Sequence, residues 1–67
     1  MTYDLNEYYG VSLYPNTKEK IGPRRYRSKA GLFLRDNNEA IETFYAEGSV
    51  ISTIYQDAID QAKRKIW

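Results

Sequence analysis

Polar and apolar positions alternate through the run YYGVSLY, with Tyr9, Val11 and Leu13 on one side and Tyr8, Gly10, Ser12 and Tyr14 on the other. Successive strand residues point to opposite faces, so the run predicts a half-buried strand near residues 5–14, with Leu5 extending the apolar side. Pro15 and Asn16 close it, because proline has no N–H for a ladder and asparagine suits a turn. The segment NTKEKIG reads as a polar loop ending at Gly22 and Pro23.

A second alternation occupies GPRRYRSKAGLFLRD and predicts a strand over residues 24–35. Tyr26, Ser28, Ala30, Leu32 and Leu34 share one face, which is small and apolar. Arg25, Arg27, Lys29, Phe33 and Arg35 share the other, around Gly31. If the two strands pair as a hairpin with their apolar sides buried, Tyr8, Ser12 and Tyr14 join the basic face.

The period then changes. In DNNEAIETFYAEG, Ala40, Ile41, Phe44 and Tyr45 recur at helical spacing, Asp36 or an asparagine can serve as cap, and Gly48 can end the segment in a left-handed conformation. A short helix over residues 38–47 is the preferred reading. The rival makes Asn37 and Asn38 a hairpin turn leading into a third strand, but the apolar residues of that segment do not alternate. The last segment, SVISTIYQDAIDQAKRKIW, keeps helical spacing for about four turns, which predicts a helix over residues 50–66 capped by Ser49. Its apolar residues cover about half the circumference, more than a two-stranded sheet can cover. The short helix or a second copy of the chain must then take the remainder. The expected fold is α+β: a small antiparallel hairpin or sheet packed against two helices in one 67-residue domain.

Composition supports a folded chain, since hydrophobic residues make up 42% and aromatics 15%, proportions foreign to disordered segments. The absence of cysteine and histidine removes thiol and imidazole nucleophiles and ordinary zinc sites. No metal, cofactor or autonomous enzyme activity is expected. Asp57 and Asp60 read as a solvated helix face, and Glu39 and Glu42 as first-turn residues, rather than as acid/base pairs. The glycines form no phosphate-cradling spacing. With no apolar run of membrane-spanning length and no signal-peptide pattern at MTYDLNEYYG, a soluble, cytoplasmic protein is expected.

Net charge is +1, but the distribution is uneven: seven of the ten basic residues lie in residues 18–35, whereas residues 36–60 hold six carboxylates and no base. Arginine can fork onto phosphate and an exposed ring can stack on an unpaired base. Arg25, Arg27, Lys29, Phe33, Arg35, Tyr8 and Tyr14 are therefore the candidate nucleic-acid-binding residues. The competing explanation is that edge strands carry Lys and Arg to keep sheets from pairing with one another.

Gly31, Phe33, Ala40 and Tyr45, within GLFLRDNNEAIETFYAEG, lie in a stretch that loosely resembles the strand-to-helix corner of two groups. These are the arm-type DNA-binding domains of tyrosine recombinases and the plant ethylene-response DNA-binding domain. The resemblance covers about eighteen residues and implies a three-stranded sheet, backed by a helix, whose outer face meets DNA.

Two functions follow. One is a small nucleic-acid-binding accessory protein using the basic hairpin face. The other is a protein-binding inhibitor or adaptor of phage or mobile-element type, acting through the helix stripe or the tyrosine-rich sheet. The stripe further suggests a homodimer, with Ile54, Tyr55, Ile59 and Ile66 at the contact.

Overall fold

A computed structural model describes residues 2–67. Five strands, β1 (Thr2–Asp4), β2 (Tyr9–Leu13), β3 (Glu19–Gly22), β4 (Arg25–Leu34) and β5 (Ala40–Gly48), precede one helix, α1 (Ile51–Ile66). All strand pairings are antiparallel, and β4 is the hub. β5 runs along one edge of β4 from Tyr26 to Phe33. The other edge is shared, because β2 pairs with residues 30–34 and β3 with residues 25–27. β1 adds a short outer strand beyond β2.

β2 and β3 thus act as one interrupted strand. Pro15 and Asn16 leave the ladder, with Asn16 at φ 60°, and the Thr17 side chain fills the gap. Its hydroxyl donates to the Tyr14 carbonyl at 2.8 Å and accepts from the Lys29 N–H at 3.0 Å. That hydroxyl has one proton, already committed to Tyr14. The buried Ser28 hydroxyl, 2.9 Å away, therefore acts as donor and is itself satisfied.

The alternation of β2 and β4 holds. Val11, Ala30 and Leu32 are buried, and with Ala46 from β5 they pack against Ile54, Ala58, Ile59 and Ala62 of α1. Alanines on both sides of this layer let helix and sheet approach closely. Half-buried Leu5, Tyr9, Leu13, Phe44 and Ile66 surround it. Tyr55 meets Tyr3 edge to face, with centroids 6.4 Å apart. Partial burial, followed by the charges of Tyr3 and Asp4, raises the pKa of the Tyr55 hydroxyl.

The expected short helix over residues 38–47 is instead strand β5, so the rival hairpin reading is the correct one. Asn38 takes φ 56°, the Asn37 side chain accepts from the Glu39 N–H at 3.0 Å, and the Leu34 N–H to Glu39 carbonyl bond closes the loop. The helical spacing has a local cause. Leu32 pairs with Glu42 but Phe33 pairs with Ala40, so Ile41 is an extra residue and the parity slips there. Phe44 and Tyr45 then serve opposite faces, as neighbours in a two-sided strand can. Gly48 has no positive φ, and it ends β5 rather than a helix. The cap of α1 also differs: Val50, not Ser49, is the N-cap, and the Thr53 hydroxyl accepts from the Val50 N–H and donates to its carbonyl.

The homodimer expectation loses its premise. Five strands provide the cover that two could not, and Ile54 and Ile59 are buried within one chain, with Tyr55 and Ile66 half-buried beside them. Most of the α1 stripe is core, and only Val50 and Ile51 at its N-terminal end stay exposed.

Asp57 also departs from the solvated role expected of it. Its Oδ2 accepts from the Glu47 N–H at 2.9 Å and from Gln61 Nε2 at 3.0 Å, and Gln61 Nε2 also donates to the Tyr45 carbonyl at 2.9 Å. Helix side chains thereby occupy backbone groups on the outer edge of β5, where an open edge invites another strand. Asp57→Ala is expected to cost about 1 kcal/mol by removing a charged acceptor shared by the Glu47 N–H and Gln61. Asp60, whose side chain accepts from Gln56 on its own helix, should tolerate alanine within about 0.5 kcal/mol. Paired thermal melts check this, and equal melting temperatures would refute the edge-capping role.

Among the described residues no helix is long and apolar enough to cross a membrane.

Candidate nucleic-acid interface

Register decides which side chains share the face opposite α1. Directly paired residues lie on one side of a sheet, so the pairs Gly10 with Phe33, Ser12 with Gly31, Lys29 with Tyr45, Arg27 with Glu47 and Arg27 with Glu19 all belong to this face. Thr2 and Asp4 join through their pairing with Ser12 and Gly10. Arg25, Arg27, Lys29 and Phe33 therefore lie together as the alternation requires, with Arg35 just past the end of β4.

The same register brings in carboxylates. Arg25 Nη2 lies 2.6 Å from Glu47 Oε1, Arg27 is ion-paired with Glu19, and Arg35 Nη2 lies 3.3 Å from Asp4 Oδ2. Arg35 also donates to the Asn6 carbonyl at 2.8 Å. Three of the four cations thus have acidic neighbours, contributed by β5, β3 and β1. Lys29 is the exception: among the described residues no carboxylate lies within ion-pair distance of it. Its Nζ sits 5.4 Å from the centroid of the Tyr14 ring. Arg27 similarly sits 5.0 Å from the centroid of Tyr45, a residue more than half exposed.

The two strand glycines position the rings. A Cβ on Gly10 would come within 2.9 Å of Phe33 Cζ, and one on Gly31 within 3.0 Å of the Tyr14 hydroxyl. Each ring therefore lies down across the strand beside its own, in space that any other residue would fill. Glycine inside a strand often marks such a close approach. Between the rings a shallow cleft of about 210 Å³ is lined by Thr2, Ser12, Tyr14, Gly31, Phe33, Asn38 and Ala40.

Of the expected site residues, Arg25, Arg27, Lys29, Phe33 and Tyr14 are gathered here, with Arg35 at one end. Tyr8, immediately before β2, is 62% exposed and does not line the cleft. Alternation alone puts Arg24 on the opposite side of the strand, but it occupies the β3–β4 turn at φ 56°. Tyr45, Glu47 and Glu19 are members of the face that the sequence does not reveal. The first two lie in a segment with helical spacing and the third in a polar stretch without period, so nothing local links them to β4. Among the described residues no group of three or more carboxylates is arranged to hold a metal ion.

The chain matches no known protein-family model, no curated protein and no solved structure. The local resemblance to recombinase and ethylene-response domains therefore gains no support at the level of the whole chain. The corner it rested on is also displaced, since the only helix among the described residues starts at Ile51, after β5.

Proposed function

We propose that this protein is a non-enzymatic accessory factor that binds nucleic acid on the helix-free face of its sheet. The observation that carries the reading is the single uncovered row of Arg25, Arg27, Lys29 and Arg35, interleaved with Phe33, Tyr14 and Tyr45. Cations alternating with exposed rings are what a phosphate backbone with accessible bases requires. The carboxylates do not block this use. Exposed ion pairs contribute only about 0–1 kcal/mol, so phosphates can displace them. They do lower the electrostatic pull at long range, and binding should depend on salt modestly.

Titrating labelled single-stranded and duplex DNA at two salt concentrations tests the reading. The combined Arg25→Ala, Arg27→Ala and Lys29→Ala variant is expected to bind more weakly at low salt and to keep its helical signal. Its slope of log affinity against log salt should fall by roughly 0.7–0.9 for each phosphate that the variant no longer neutralises. Arg64→Ala, in the last turn of α1 behind the sheet, is the control and should bind as the parent does.

A protein-binding inhibitor or adaptor is the second reading, favoured by the carboxylates placed among the arginines. A face of paired charges and tyrosines suits a protein surface of mixed sign, and such an interface responds little to moderate salt. No binding by the parent at low salt would make this the leading reading, with the basic row acting to keep the sheet soluble.

A further inference from the structure

We infer that the cleft between Phe33 and Tyr14 seats an unpaired nucleobase, so that the face selects single-stranded over duplex nucleic acid. This rests on the nucleic-acid reading above and names what that face holds. The carrying observation is the pairing of each ring with a glycine. Phe33 lies against Gly10 and the end of Tyr14 against Gly31, so backbone fixes where each ring sits, with Phe33 half-buried and Tyr14 37% exposed. A ring held in this way is a stacking surface whose orientation is already set before a ligand arrives.

The size of the cleft agrees with this occupant. At about 210 Å³ it is smaller than the roughly 300–1,000 Å³ typical of sites for drug-sized ligands, and it is open on one side, as a base still attached to its strand requires. Its lining residues Thr2, Asn38 and Tyr14 carry hydrogen-bonding groups of both kinds. Such groups can meet the edge of a base that has no pairing partner. Lys29, beside Tyr14 and lacking a carboxylate partner among the described residues, is placed to meet the phosphate of that nucleotide. A paired base offers none of this, because its faces are stacked and its pairing edge is occupied.

Three labelled probes separate the possibilities: a short oligothymidine, an abasic strand with the same number of phosphates, and the thymidine strand in duplex with its complement. The parent is expected to bind oligothymidine roughly five- to a hundredfold more tightly than the abasic strand, the range one stacked base supplies, and more tightly than the duplex. Phe33→Ala should reduce oligothymidine binding to the abasic level and leave abasic binding unchanged, while Phe33→Tyr should retain the preference. Gly31→Ala removes no ring and no charge, yet its methyl would displace the Tyr14 ring, so it should also erase the preference. Backbone amide shifts of Ser12, Gly31 and Phe33 in the parent, on adding oligothymidine, provide a readout that needs no variant.

Equal affinity for oligothymidine and the abasic strand, or shifts confined to the arginine rungs, would overturn the base cleft while leaving phosphate binding in place. No binding to any of the three probes would instead overturn the nucleic-acid reading itself.

Discussion

Ile54→Ala is expected to remove a large part of the protein's folding free energy. Ile54 has no solvent exposure and is one of the two largest fully buried side chains, seated where α1 meets the sheet. Removing most of a buried isoleucine costs about 2–5 kcal/mol, because the cavity left behind collapses only in part. Total stability for a chain of this length is roughly 3–10 kcal/mol at the usual 0.05–0.15 kcal/mol per residue. The loss is therefore a large fraction of the total, and at the low end of that range it would unfold the protein. Ile54→Val should cost only about 0.5–1.5 kcal/mol. Urea unfolding followed by circular dichroism measures both. The same experiment separates the two roles considered for α1. An Ile54→Ala variant that melted like the parent but changed its oligomeric state would place Ile54 between chains, against the burial observed within one.

Gly48→Ala should be the next most damaging change, although it adds a single methyl. Gly48 ends β5 just before the chain turns into α1. A Cβ there would collide with Thr53 Oγ1 and lie 2.7 Å from the backbone nitrogen of Ile54. The second neighbour is backbone inside the first helical turn and cannot swing aside, so the helix must shift. Overpacking of this kind costs roughly 1–3 kcal/mol, offset in part by the smaller conformational freedom of alanine in the unfolded chain. Because both atoms crowd one site, the effect should be non-additive. In a Thr53→Ala background, Gly48→Ala should cost less than in the parent, though not nothing, since the Ile54 nitrogen remains. Thermal denaturation of the four proteins checks this. A Gly48→Ala protein as stable as the parent would mean that α1 leaves the sheet further out than the geometry places it.

Gly48 also illustrates what is hard to read locally. Its sequence context suggests the end of a helix, but what requires glycine there is a segment arriving from further along the chain. Gly10 and Gly31 are of the same kind. Each stands inside a visibly alternating strand, yet the ring that needs its missing Cβ belongs to the neighbouring strand. The position of the basic row was legible, since Arg25, Arg27 and Lys29 alternate with Tyr26, Ser28 and Ala30. The cleft was not, because it exists only once β2 and β4 are in register.

The sequence by itself determined which residues of β2 and β4 face the core and where α1 runs. Those properties follow from side-chain period, which is set by the backbone over a few residues. It also determined that Arg25, Arg27 and Lys29 share a face, for the same reason. Tertiary structure alone decided the rest. β3 is exposed on nearly all positions and shows no apolar period, so only pairing with β4 makes it a strand. β5 carries apolar residues on both faces and an extra residue at Ile41, which together imitate a helix until β4 supplies a partner. The carboxylates beside Arg25, Arg27 and Arg35 arrive from three different strands. Their effect on the basic face depends on distances across the sheet, and no local period encodes those.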